Sequence, residues 1–342
     1  MTDEELVDAL PKHELHVHLE GSMPPETLLA LRHRHGLHTL PGDLDGIRDL
    51  YEFRDFDHFI RTYLAVVQAL REEEDFELLA RSALGLLADQ VVRYAEVTWT
   101  PVLHADRGVP VEAVFAGLEA GRLAVEAEGG PVVRWVTDLP GHLGPDAAER
   151  TLDLVLGLGG GTPPPSVVGF GLGGPEVDRA PFAAAFARAR AAGLRSLPHA
   201  GEVTGPESVR AALDHLGAER LGHGIAVAQD AALMAEVAER GVVVEVCPTS
   251  NLRTRVVASY EEHPLRRMLD AGVAVTINSD DPPMFGTTLR EEHLVALRHL
   301  GLGPAELLAC ARTAATAGSA PPAVVERTLA DLDALEAVAV RR

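Results

Sequence analysis

Four short stretches of this 342-residue chain hold side chains that could do chemistry together. In His16-Val17-His18 two imidazoles stand two residues apart, the spacing at which a strand turns both to one face. Leu197-Pro198-His199-Ala200-Gly201-Glu202 adds a third imidazole and, after a glycine that permits a tight turn, a carboxylate. His223 lies between Gly222 and Gly224, which let neighbouring groups approach the backbone closely. Asn278-Ser279-Asp280-Asp281 ends in two adjacent aspartates, costly to bury unless a cation or donor meets them. One of the pair is expected to ligate a metal and the other to face a substrate.

Each stretch alone has a plain structural explanation: solvated or core histidines, an exposed loop glutamate, an acidic helix cap. Together they are a metal site. Three neutral imidazoles and one carboxylate suit Zn²⁺, with iron or cobalt as substitutes. Water on such an ion has its pKa lowered to about 7 and becomes a nucleophile at neutral pH. One metal per chain is expected, because two-metal barrel hydrolases commonly bridge their ions with a modified barrel lysine. The only lysine here, Lys12, is expected to lie ahead of the first strand. His13 falls on the opposite face from His16 and is left out.

The elements that must position these residues follow from periodicity. Short β-branched runs alternate with longer Ala/Leu/Arg/Glu stretches, the pattern of βα units around a parallel sheet. Eight strands are predicted, over Leu15–Leu19, Tyr94–Trp99, Val132–Thr137, Val167–Leu172, Arg195–His199, Arg220–His223, Val242–Val246 and Val273–Asn278. The fold class is therefore α/β, a closed (β/α)8 TIM barrel, in which the carboxyl ends of all strands surround one cavity. That geometry lets His16, His18, His199, His223 and Asp280 meet.

Residues 1–342 are read as a single domain, with a helical insertion after the first strand at 24–71. Phe53, Phe56, Phe59 and Tyr63 recur there at helical spacing, which predicts core packing of the insertion more than ligand contact. An insertion on the catalytic face could also form a lid. The Gly- and Pro-rich stretch 157–165 reads as a surface loop within the domain, and the tail from Pro304 as terminal helices.

Composition narrows the function. A net charge of −21 argues against nucleic acid as a partner, since a polyanion groove needs clustered Lys and Arg. Hydrophobic residues make up 46% of the chain, enough for a large core. No run of about 18 apolar residues occurs and the first residues are acidic, so neither a membrane span nor a targeting leader is expected. Only Cys247 and Cys310 are present, which rules out a disulfide framework and suits a reducing cytoplasm. Small molecules are the expected partners.

Across most of its length the chain resembles the adenosine and AMP deaminase family of the metal-dependent amidohydrolase superfamily. The resemblance rests on Pro11-Lys12-His13-Glu14-Leu15-His16-Val17-His18-Leu19-Glu20-Gly21, His199-Ala200-Gly201-Glu202, Gly222-His223-Gly224, Cys247-Pro248-Thr249-Ser250-Asn251 and Ser279-Asp280-Asp281-Pro282, in family order. It implies that His16, His18, His199 and Asp280 bind zinc. It further implies that Glu202 protonates purine N1, that His223 orients and helps deprotonate the water, and that Asp281 holds the attacking oxygen and meets N7. His18, Glu20, Gly174 and Asp281 would contact the substrate, Gly174 through its N–H to N3.

The implied reaction is hydrolytic deamination of a 6-aminopurine to the 6-oxopurine and ammonia, with a non-ligand Glu as proton shuttle. Three departures bear on substrate. Glu20 stands where adenosine deaminases usually carry Asp against the ribose 5′-hydroxyl, and Gly171 and Pro175 replace two carboxylates. The expected substrates are adenosine, 2′-deoxyadenosine or a 5′-modified adenosine, with adenine or aminodeoxyfutalosine as the alternative. A metal-dependent phosphoesterase and a purine-binding barrel without turnover are more remote. The first would need further ligands and cationic groups, and the second is disfavoured by Glu202 and His223.

Overall fold

Nine strand segments, all paired in parallel, make two runs in the computed structural model, which describes residues 1–339. The first run is β1 (Lys12–His18), β2 (Val92–Trp99), β3 (Val132–Thr137), β4 (Val167–Phe170) and β5 (Arg195–Ser196). The second is β6 (His199–Ala200), β7 (Arg220–His223), β8 (Val243–Val246) and β9 (Val275–Ile277). Two junctions close them into one barrel. At the first, Pro198 has no N–H to give a ladder, so the predicted fifth strand is split. The N–H groups of Leu197 and His199 still reach Phe170 and Leu172 carbonyls at 3.0 and 2.9 Å. At the second, the Asp280 N–H donates to the His16 carbonyl at 3.0 Å and the His18 N–H to the Asp280 carbonyl at 2.9 Å.

Strands buried on both faces need apolar, β-branched residues throughout, and β8 is buried at every position. Helices such as Glu73–Ala88, Val111–Ala127, Pro145–Leu158 and Ala231–Arg240 alternate with the strands. Among the described residues no helix is long and apolar enough to cross a membrane.

β1 begins three residues earlier than expected, so Lys12 is its first residue rather than lying ahead of it. The buried ammonium donates to the carbonyls of Val7, Leu10 and Gln90 at 2.6, 2.9 and 3.1 Å. It is thus held at the amino end of the barrel, opposite the histidines. His13 also faces away, with Nε2 3.0 Å from Thr328 Oγ1.

Residues 24–71 contain three helices, Pro25–His35, Leu44–Leu50 and Phe56–Val67. Asp43 and Asp55 cap the second and third by accepting from the N–H groups of Gly46 and His58 at 2.9 and 2.8 Å, which fixes where each begins. Phe59 packs against Phe53 and Phe285 with ring centroids 5.3 and 4.9 Å apart. The aromatic stripe therefore does pack the insertion against the barrel, yet Phe56, Phe59 and Tyr63 also line the cleft above the strand ends. Stretch 157–165 starts inside the helix Pro145–Leu158 and continues as irregular chain to β4.

Candidate active site

His16 and His18 come from β1, His199 from β6 and Asp280 from the turn after β9, and their donor atoms converge. His18 Nε2 is 3.2 Å from His199 Nε2 and 3.4 Å from Asp280 Oδ1, and His16 Nε2 is 3.6 Å from Asp280 Oδ1. Donors bound to one tetrahedral ion at about 2.0–2.1 Å lie about 3.3–3.4 Å from each other, so this spacing fits a single metal. Buried His16 Nε2 has no hydrogen-bond partner among the described residues, a costly state that a metal bond would relieve. Burial pushes the imidazoles of His18 and His223 down to about 4 and His199 well below its usual value, which keeps these rings neutral. Burial also pulls His16 down, but Asp280 and Glu245 raise it to about 10. The carboxylates thus make this spot favourable to positive charge.

Close approach is bought with glycine. A Cβ on Gly222 would sit 2.7 Å from His16 Cε1 and 3.1 Å from the His199 ring, and one on Gly21 would sit 1.4 Å from Asp281 Oδ1. His223 and Asp280, which are not glycines, adopt left-handed backbones with φ of 56° and 64°. Such strain persists where the surroundings enforce it, here by strand-end hydrogen bonds.

Behind the donors runs a buried ionic chain that the motif reading did not single out. His16 Nδ1 lies 3.0 Å from Glu245 Oε2. Arg220 bonds both Glu245 and Glu96 and donates to the Ala317 carbonyl at 3.1 Å. Burial opposes charge on Glu245, yet Arg220 and His16 hold it down at about 2. A carboxylate fixing one nitrogen of a ligand histidine aims the other at the metal. The sequence signal was a glutamate inside the apolar run Val243–Val246, since a charge on a fully buried strand must find a partner. Cys247 Sγ also groups with His16, His223 and Asp280, but burial raises its thiol well above the usual range.

The remaining sequence-predicted residues lie around this centre. Glu202, His223, Asp281, His18 and Gly174 line one cleft above the strand ends. His223 Nε2 is 3.7 Å from both Glu202 Oε2 and Asp280 Oδ2. Its other nitrogen lies 3.3 Å from Asn251 Nδ2, and Asn251 Oδ1 lies 3.3 Å from His263 Nε2, so the ring is fixed. Burial, then the charges of Asp280 and Glu176, raise Glu202 well above the ordinary carboxyl range. Burial and its neighbour Asp280 do the same to Asp281, whose Oδ1 has no partner among the described residues.

Glu20 is not on the cleft wall. Its Oε1 accepts from the Thr100 N–H at 3.0 Å and lies 2.9 Å from His104 Nε2, and its Oε2 accepts from the Tyr63 hydroxyl at 3.4 Å. Pro175 lines the cleft, and Asp138 at the end of β3 enters it, accepting from Thr100 Oγ1 at 2.6 Å. An apolar part of the lining comes from Phe56, Phe59, Ile60 and Leu64 of the insertion and from Leu103.

Glu176, next to Pro175, is a hub of hydrogen bonds that no motif in the sequence marks. Burial opposes its ionisation, but Ser208, Thr204 and turn N–H groups hold it down at about 2. A carboxyl lowered on folding stabilises the protein above its unfolded pKa and loses that contribution as pH falls through the folded value. Glu176→Gln is therefore expected to cost about 3 kcal/mol near pH 7. In urea unfolding, the gap to wild type should close as pH falls from about 4.5 toward about 2. A gap that is constant with pH would refute the ionic origin.

Comparison with known proteins now bears on this geometry. The sequence profile of the adenosine deaminase family matches residues 11–334. The aminodeoxyfutalosine deaminase of Streptomyces avermitilis is 46% identical over 329 residues, 96% of this chain and 91% of that protein. The adenine deaminase of Rhodospirillum rubrum is 40% identical over 323 residues, 94% of this chain and 95% of that protein. A crystal structure of an amidohydrolase from Burkholderia ambifaria, with bound Zn, superposes with a TM-score of 0.89 at 27% identity, covering 99% and 95% of the two chains. A match from the first barrel strand to the last helix, over a barrel whose strand ends gather this donor set, makes the chain a member of the adenosine deaminase family, a hydrolase of C–N bonds in cyclic amidines.

Proposed function

We propose that the chain is a zinc-dependent aminodeoxyfutalosine deaminase with one Zn²⁺ per chain. Family membership supports deamination of a 6-aminopurine. The observation that carries the substrate is the 46% identity to an aminodeoxyfutalosine deaminase over nearly the whole chain. Adenine is the second reading, favoured by the relative at 40%. Both move ahead of adenosine, 2′-deoxyadenosine or a 5′-modified adenosine, the substrates expected first from the sequence.

The cleft agrees with a substrate larger than a bare purine. Its apolar wall would stay uncovered beside adenine, whereas an apolar extension on a 6-aminopurine would cover it. No lysine or arginine lines it among the described residues, so nothing would neutralise a phosphate, and nucleotides should be poor substrates.

When bound through His16, His18, His199 and Asp280, the ion supplies Lewis-acid activation of water. The chain's own residues do the rest. Glu202 keeps its proton and gives it to ring N1, leaving C6 electron-poor. Asp281 and His223 hold the water against C6, with Asp281 also meeting N7 and the Gly174 N–H meeting N3. Water adds at C6, one of its protons returning by way of His223 to Glu202 and the other passing to the amino group, so that ammonia leaves and the amino carbon becomes a keto carbon. Glu20 acts on the far end of the substrate through Tyr63, whose hydroxyl it holds.

The test is ammonia release by zinc-loaded protein on aminodeoxyfutalosine, adenosine, 2′-deoxyadenosine, adenine and AMP, with the metal content measured. Aminodeoxyfutalosine should exceed adenine in kcat/KM by about 10²-fold, the scale on which an apolar pocket discriminates. Adenine as the best substrate would establish the second reading, and no turnover of any 6-aminopurine would overturn both.

A further inference from the structure

Glu202 sits on an irregular turn, residues 201–204, between β6 and the helix Pro206–Ala211. A carboxyl on such a turn is only as well placed as the turn itself, because no ladder fixes its backbone. The N–H groups of this turn all point at one side chain. Those of Gly201, Glu202 and Val203 donate to the Glu176 carboxylate at 2.9, 2.7 and 2.8 Å, and that of Thr204 at 3.4 Å. The hydroxyls of Thr204, at 2.6 Å, and Ser208 donate to it as well. Arg179 donates to Glu176 at 3.3 Å and to the His199 carbonyl at 2.8 Å, so the same anchor reaches the strand carrying a metal ligand. Glu176 also follows Gly174 by two residues. One short segment therefore holds both a purine contact and the mount of the proton donor.

We propose that Glu176 is a positioning residue for Glu202, setting the turn that aims the acid at the ring nitrogen. The inference rests on Glu202 being the proton donor. A bland alternative exists: the carboxylate could simply stabilise a loop, and its loss would then slow the enzyme whatever stands at 202. A double-mutant cycle separates the two, because residues acting as one unit are not additive.

The experiment compares Glu176→Gln, Glu202→Gln and the double variant with wild type in single-turnover ammonia release, with metal content and circular dichroism on each. Glu176→Gln should lower kcat about 10²-fold, the cost of misplacing a catalytic group by about 1 Å, with KM and metal content nearly unchanged. In the Glu202→Gln background the same change should cost less than about 3-fold. An equal cost in both backgrounds overturns the proposal while leaving Glu202 as the donor. A Glu202→Gln enzyme at wild-type rate overturns the donor assignment and the proposal with it. Should Glu176→Gln not fold, Thr204→Val and Ser208→Ala remove two donors to the same carboxylate. They should show the same dependence on Glu202, and equal cost in both backgrounds would again refute it.

Discussion

Glu202→Gln is expected to lower kcat about 10³-fold while the protein keeps its metal, the loss typical of removing a general acid. Glutamine matches the shape of the carboxyl and its capacity to hydrogen-bond, so only the transferable proton is removed. Burial, then the negative charges of Asp280 and Glu176, push the Glu202 carboxyl well above the ordinary carboxyl range, the direction a proton donor requires. Its carboxylate is outside the donor set, reaching His223 at 3.7 Å rather than a second imidazole. His199→Ala is the contrasting variant. It removes a nitrogen 3.2 Å from His18 Nε2 and should lose metal and activity together. Metal analysis beside steady-state kinetics reads both. A Glu202→Gln enzyme within tenfold of wild type would place the proton donor elsewhere, and a His199→Ala enzyme with full metal would dissolve the ligand set.

Both variants fall at residues that stood out in the sequence alone. Metal chemistry uses few residue types, and a parallel barrel puts them at strand ends, so His16, His18, His199 and Asp280 stand out against the apolar runs that precede them. The eight-strand count was legible for the same reason. The break in the fifth strand followed from Pro198 and could have been drawn from it, since a residue without an N–H cannot continue a ladder. What stayed hidden acts through partners distant in sequence. Arg220 and Glu96 are ordinary charges on their strands until closure of the barrel joins them to Glu245. Glu20, expected from the sequence to meet the substrate, is held by Thr100 and His104, about eighty positions away, a pairing that its own motif does not announce. Glu176 could not be read because its partners are mostly backbone N–H groups, which carry no sequence signature. The aromatic stripe was ambiguous for another reason: an insertion that packs on the barrel uses the same rings for core and cleft.

The ionic chain beneath the metal site should govern stability and metal affinity at once. Arg220 is fully buried with a carboxylate on either side. Arg220→Met would leave Glu96 and Glu245 uncompensated in the barrel interior, and breaking such a buried pair costs about 3–5 kcal/mol. Glu96 would retain the Tyr94 hydroxyl at 2.8 Å and the Ser319 N–H at 2.6 Å, which tempers the loss on that side. Glu245 would retain the His16 ring and, freed of its anchor, aim it less well. Loss of such a supporting partner typically weakens metal binding about 10–100-fold. Glu245→Gln divides the two effects. It leaves Arg220 paired with Glu96, so the stability cost should be the smaller one, while the orienting charge on His16 is gone and metal affinity should fall as far as in Arg220→Met. Competition with a chelator measures affinity, and denaturant unfolding of the metal-free forms measures stability without the metal's own contribution. Both variants binding metal as tightly as wild type would mean that His16 is aimed by β1 alone, and the chain of charges would then serve only to fill the barrel.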